Sequence, residues 1–163
     1  MKTRAILSLL ACLAVQAAVV PALSLEQVID QSEVIVHGRV ARSWSAWDSA
    51  HKHIWTHHLI EVIDRVRGAE VRSIVASEPG GELDGVGMRF SGSIAYAVGE
   101  ETIVFLYRTP IGYLRATGNG QGKYTITPGK RVRANVQGLV SPLDGLTVEA
   151  FKARVRESLR SDR

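Results

Sequence analysis

The chain has 163 residues, a formal net charge of +4 and a single cysteine, Cys12. Its length suits one domain with a core large enough to fold unaided. Two of the basic residues, Lys2 and Arg4, stand at the very start, and without them the formal charge falls to +2, so the basic balance is weak evidence for a nucleic-acid partner and none is expected.

After MKTR, the run AILSLLACLAVQAAVV carries no charge and leads to Pro21-Ala22-Leu23. A basic start, a short apolar core and small residues at Val20 and Ala22 predict a secretory signal peptide over 1–22, cleaved after Ala22. The run is shorter than the roughly 20 residues of a membrane span. A secreted or periplasmic protein with no stable membrane anchor after cleavage is therefore expected. Leu9-Leu10-Ala11 before Cys12 is a weak match to a lipoprotein acylation site, and acylation there would leave AVQAAVV on the mature chain. Cleavage after Ala22 removes the cysteine, and with it any disulfide framework, thiolate metal site or cysteine nucleophile.

Ser24, with Gln27 three residues on, is a capping-box pattern and predicts a short helix from about Leu25 to Gln31. Val34 to Trp44 then alternates, with Val34, Val36, Val40 and Trp44 on one parity, which predicts a first strand. Gly38 within it marks a bulge or bend. Trp47 to Ala50 reads as a loop. The next stretch, His51 to Gly68, holds the longest alternation in the chain: Ile54, Thr56, His58, Ile60 and Val62 against Trp55, His57, Leu59 and Glu61. It predicts a long second strand. Val71 to Ser77 reads as a third, followed by a glycine-rich loop around Met88-Arg89-Phe90. Thr102 to Arg108 predicts a buried strand, and Tyr113 to Ala116 and Lys123 to Thr127 follow turns. From Thr147 to Leu159 the period changes, with Val148, Phe151, Val155 and Leu159 on one helical stripe.

These elements predict a mostly β protein: a small five-stranded antiparallel barrel of the oligonucleotide/oligosaccharide-binding (OB) type over 23–140, with a short N-terminal helix. A C-terminal amphipathic helix within 141–163 packs on it. Residues 26 to 40, EQVIDQSEVIVHGRV, resemble the opening of the netrin-like module of tissue inhibitors of metalloproteinases. Trp55 to Val62 with Arg67-Gly68 resembles that module's second strand, and Gly99 to Leu106 its late strand. The likeness spans about 24–127 and extends to a group of secreted bacterial proteins. It implies a non-catalytic, protein-binding role. The animal inhibitors chelate the protease zinc through an amino-terminal cysteine held by disulfides, and this chain has neither, so that chemistry does not carry over.

Four of the five histidines fall between His51 and His58. A zinc site needs three or four donors about 2.0 to 2.2 Å from the metal. On one extended strand the Cα atoms of His53 and His57 stand about 13 Å apart, and His57 and His58 face opposite ways. His51, His53 and His57 would therefore close a zinc or copper site only with help from a neighbouring segment such as Asp48 or Glu61. His37 is isolated. GNGQGK, Gly118 to Lys123, is too short for a phosphate loop and has Tyr124 where a Ser or Thr would hold magnesium. No nucleophile elbow or paired-acid pattern is present.

The expected function is thus an exported, non-catalytic protein-binding module without a cofactor, acting as inhibitor or accessory of a secreted protease such as a metalloprotease. Leu23, Ser24, Trp47, Trp55 and His57 are its candidate contact residues. The alternative is a periplasmic metal-binding protein using His51, His53 and His57.

Overall fold

A computed structural model describes residues 21–135, 141 and 143–161. The expected signal peptide lies outside this range apart from Pro21 and Ala22, as does Cys12. Helix α1, Leu25–Asp30, is closed by the expected capping box: Ser24 Oγ accepts from Gln27 N at 3.2 Å, and Gln27 Oε1 accepts from Ser24 N at 2.9 Å. The remaining elements are β1 (Val34–Trp47), β2 (Ile54–Arg67), β3 (Ser73–Pro79), β4 (Gly81–Leu83), β5 (Val86–Met88), β6 (Glu101–Arg108), β7 (Leu114–Ala116), β8 (Lys123–Ile126), β9 (Val132–Ala134) and α2 (Val148–Ser161). Among the described residues no helix is long and apolar enough to cross a membrane.

Strands β1 and β2 form a long antiparallel hairpin, and β1 also pairs with β6 through Val34 to Arg39. Gly38 sits at a register shift in this double pairing. A Cβ there would stand 2.5 Å from the Glu61 carbonyl oxygen, so only glycine lets the two backbones approach this closely.

The main sheet has seven strands in the order β1-β2-β3-β7-β6-β8-β9, with β4 and β5 as a separate hairpin. The chain is mostly β with two helices, as expected, and where a small five-stranded barrel was expected the main sheet has seven strands and is not a closed barrel. Between β3 and β7 the pairing is a single parallel bridge, Ala76↔Leu114. The glycine-rich stretch expected as a loop contains the β4–β5 hairpin. Its turn puts Asp84 at φ 52° and Gly85 at φ 78°, the positive angles a two-residue hairpin turn requires.

Two clusters fill the molecule. Val36, Val40, Ile60, Ile74, Ala76, Val104, Leu106 and Ala116 line the inner face of the curved sheet. On the outer face of β1, β6 and β8, Ile35, Ile103, Phe105 and Tyr124 pack against α1 and against Val148, Phe151 and Val155 of α2. The C-terminal helix thus packs on the sheet as its apolar stripe predicts. Its buried Lys152 donates to Asp64 of β2 at 2.8 Å, and Arg156 reaches the same oxygen at 2.8 Å. Burial pushes the Asp64 carboxyl up, but these two hydrogen bonds outweigh it and hold it below its ordinary range.

Candidate functional site

The inner face changes character halfway along the β1–β2 hairpin. Below that level Val40, Ile60 and Ile74 are buried and apolar. Above it the same face carries Ser43 opposite His58, Ser45 opposite Thr56, and Glu78 of β3 across from Thr56. A sheet face that meets a core is ordinarily apolar, because an unpaired polar group there costs about 1–3 kcal/mol. Here the polar half opens into a cleft of about 500 Å³, within the range of ligand sites. Its walls include Ser43, Thr56, His58 and Glu78, with Met88, Phe90 and Tyr96 across from them. The β4–β5 hairpin covers one side, held by Thr56 Oγ1 donating to the Gly80 carbonyl at 2.7 Å. Gly81, at φ 135°, lies so close to Thr56 Oγ1 and Ser45 Oγ that a side chain would collide with both hydroxyls.

Beneath the cleft the charges are tied in pairs. Glu78, 3% exposed, accepts from Arg115 Nε at 3.1 Å and from Ala116 N at 3.2 Å. Burial still pushes its carboxyl above the ordinary range, against the pull of Arg115. Lys123, also buried, donates to Glu100 at 2.9 Å and to the Ala95 carbonyl at 2.7 Å, and its ammonium lies 4.5 Å from the Tyr96 ring centroid. Burial draws the Lys123 amine below its usual value. His58 pairs through Nδ1 with Ser43 Oγ at 2.7 Å and packs on Tyr96 at 4.5 Å between ring centroids. Burial, reinforced by the Lys123 charge, lowers the His58 pKa to about 4. The imidazole is therefore neutral at pH 7 and adds no charge to the cleft.

The other histidines are spread out. His57 Nδ1 meets Ser77 Oγ at 2.8 Å, His53 Nδ1 meets Asp48 at 3.2 Å, and His51 stacks on Trp47 at 6.3 Å. His37 Nε2 meets Glu101 at 3.0 Å. Among the described residues no group of three or more His, Cys, Asp or Glu side chains could hold a metal ion. The structure does not bring His51, His53 and His57 together: each ring has a separate partner, and His57 is buried.

The five candidate contact residues do not share one surface either. Trp47, half-buried, ends β1 on the inner parity, opposite Ile54. Trp55 and His57, at 9% and 8% exposure, lie on the opposite face under Tyr113, with ring centroids 5.0 and 5.2 Å away. Leu23 donates its N–H to Gln121 Oε1 at 2.7 Å, and both partners of the Ser24 cap are engaged. Phe90, 39% exposed, lies 5.7 Å from the His53 ring and lines the cleft. Two aromatic pairs, Trp47 with His51 and His53 with Phe90, thus flank the hairpin loop, and the second reaches the cleft.

Sequence reasoning missed Glu78, Arg115, Glu100 and Lys123, whose partners are 37 and 23 positions apart. The available signal was a charge inside an otherwise apolar strand, as at Glu78 after Ile74-Val75-Ala76 and at Lys123 beside Tyr124. No protein-family model matches the chain, and no curated protein matches it.

Proposed function

We propose that this chain is an exported, non-catalytic protein-binding module of the OB, netrin-like type, acting as inhibitor or accessory of a secreted protease. Its contact surface is the tip of the β1–β2 hairpin together with the β4–β5 hairpin and the cleft between them. The observation that carries this reading is the two aromatic pairs, Trp47 with His51 and His53 with Phe90, beside a polar, open inner face. Aromatic side chains bury much area at low conformational cost, so such pairs suit a contact surface.

The pairing of the first strand supports the OB-type part. Strand β1 pairs with both β2 and β6, and a short helix precedes it. The ionisable groups under the cleft, Glu78 with Arg115 and Lys123 with Glu100, hold one another in place, a role that favours binding over proton transfer.

Affinity capture from envelope and culture fractions tests the proposal. The tagged protein should recover a protease or another exported protein, and the Trp47→Ala/Phe90→Ala double variant should lose it. Equal recovery by both would show that the surface is elsewhere.

A further inference from the structure

The hairpin tip has a second property, which lies in its backbone. Along β1, β6 supplies a neighbour only as far as Arg39, with two more bonds at Val40: its N–H donates to the Glu100 carbonyl at 2.9 Å, and its carbonyl accepts from Gly99 N at 2.8 Å. Beyond that point β1 pairs with β2 alone. The alternation of hydrogen-bonded and non-bonded pairs in an antiparallel ladder then fixes which groups are free.

Asp48 N donates to the His53 carbonyl at 2.8 Å, so the pairs Ala46↔Trp55, Trp44↔His57 and Arg42↔Leu59 are the bonded ones. Ser43, Ser45 and Trp47 therefore point their N–H and C=O groups away from β2. The far side of β2 agrees: opposite Trp47, the Ile54 carbonyl accepts from Gly80 N at 2.7 Å, away from β1. Among the described residues, none bonds the outward backbone groups of Ser43, Ser45 or Trp47. A free strand edge of this kind is a template for another strand.

We propose that the partner's contact segment is an extended peptide that adds as an antiparallel strand to the β1 edge at Ser43–Trp47. This rests on the protein-binding reading above and specifies how the partner is held. Side-chain chemistry on the two faces of the edge defines the segment. On the outer face Arg42 lies over the Trp44 ring, its guanidinium carbon 4.6 Å from the centroid, and favours an acidic residue directly across. On the inner face Ser43 and Ser45 border the cleft, whose wall carries Met88, Phe90, the neutral His58, Glu78 and Arg89. Glu78 is already paired with Arg115 and Arg89 is exposed to solvent, so neither calls for a buried counter-charge, and the inward positions are uncharged. The segment thus carries an acidic residue across from Arg42 and uncharged residues at every second position, turned into the cleft.

Selection of displayed random dodecapeptides on the purified protein tests this. Enriched sequences should show uncharged residues at every second position and an acidic residue at one of the positions between them. Synthetic versions should bind at least about tenfold more weakly when alternate amides are N-methylated, which removes ladder donors and leaves side chains in place. Ser45→Pro should weaken them similarly, because it deletes one outward N–H at an edge position where proline is tolerated. Ser45→Ala, which keeps the backbone N–H, should weaken binding far less than Ser45→Pro does. Peptides indifferent to N-methylation would overturn the edge mode. So would failure to enrich any peptide; if Trp47-dependent capture of a partner persisted, the protein-binding reading would survive that failure. A concentration-dependent dimer abolished by Ser45→Pro would give the edge to a second copy of this chain and overturn the proposal.

Discussion

The two halves of the β1–β2 hairpin share the same strands and have opposite fates. In the basal half, from Val34 to Val40, both faces of β1 are covered: the inner by Val104 and Leu106, the outer by α1 and α2, with β6 on its free side. In the distal half the inner face is polar, one edge has no neighbour among the described residues, and the tip carries aromatic side chains. Burial of apolar surface stabilises the first half. The second half gives up part of that stabilisation, and what it offers instead is an outward backbone edge, hydroxyls and a cleft. That contrast locates stability at the base and the proposed binding at the tip.

The contrast can be broken most severely at the base. Phe151, fully buried between Phe105 and Tyr124, should cost about 3–5 kcal/mol when replaced by alanine. Urea denaturation would show this as a lower midpoint, while protein that remains folded should still capture its partner. Arg115→Ala leaves Glu78 buried without its cation. It should cost about 3 kcal/mol at pH 7, and Glu78→Gln in the same background should recover part of the loss.

A third test uses pH. The His58 pKa is about 4 in the fold and 6.5 as an ordinary histidine. Between those values the unfolded chain binds a proton that the folded chain does not, so His58 makes stability fall as pH drops from 6.5 to 4, by up to about 3 kcal/mol. Glu78, with its raised pKa, works in the opposite direction. The relevant quantity is therefore the difference between wild type and His58→Gln, measured by urea denaturation across this range. The wild type should lose stability relative to the variant on acidification; parallel curves would mean that His58 is not shielded as described. The smallest stability effect is expected at the tip, where Trp47→Ala should shift the midpoint by less than about 1 kcal/mol and yet abolish capture.

Much of the basal half is legible in the sequence. Ser24 and Gln27 mark the start of α1, the alternation from Ile54 to Val62 sets the faces of β2, and the apolar run from Thr102 gives β6. The stripe Val148, Phe151, Val155 gives α2. The distal half is harder to read. Strands β4 and β5 are three residues each, too short to display alternation, although Asp84-Gly85 is a hairpin signal in its own right. The expected contact residues divide because strand parity separates Trp47 from Trp55. Histidines close in sequence acquire different partners through strand pairing, and the Glu78–Arg115 and Lys123–Glu100 pairs depend on contacts between distant strands. The position of the free edge depends on where β6 stops pairing with β1, which no local pattern encodes.

The most direct test of the division into a stable base and a binding tip is amide hydrogen exchange of the protein alone and with its captured partner. Added protection should be concentrated at Ser43, Ser45 and Trp47, with little change in α1, α2 or β8. Protection centred on the helices, with the β1 edge unchanged, would contradict it.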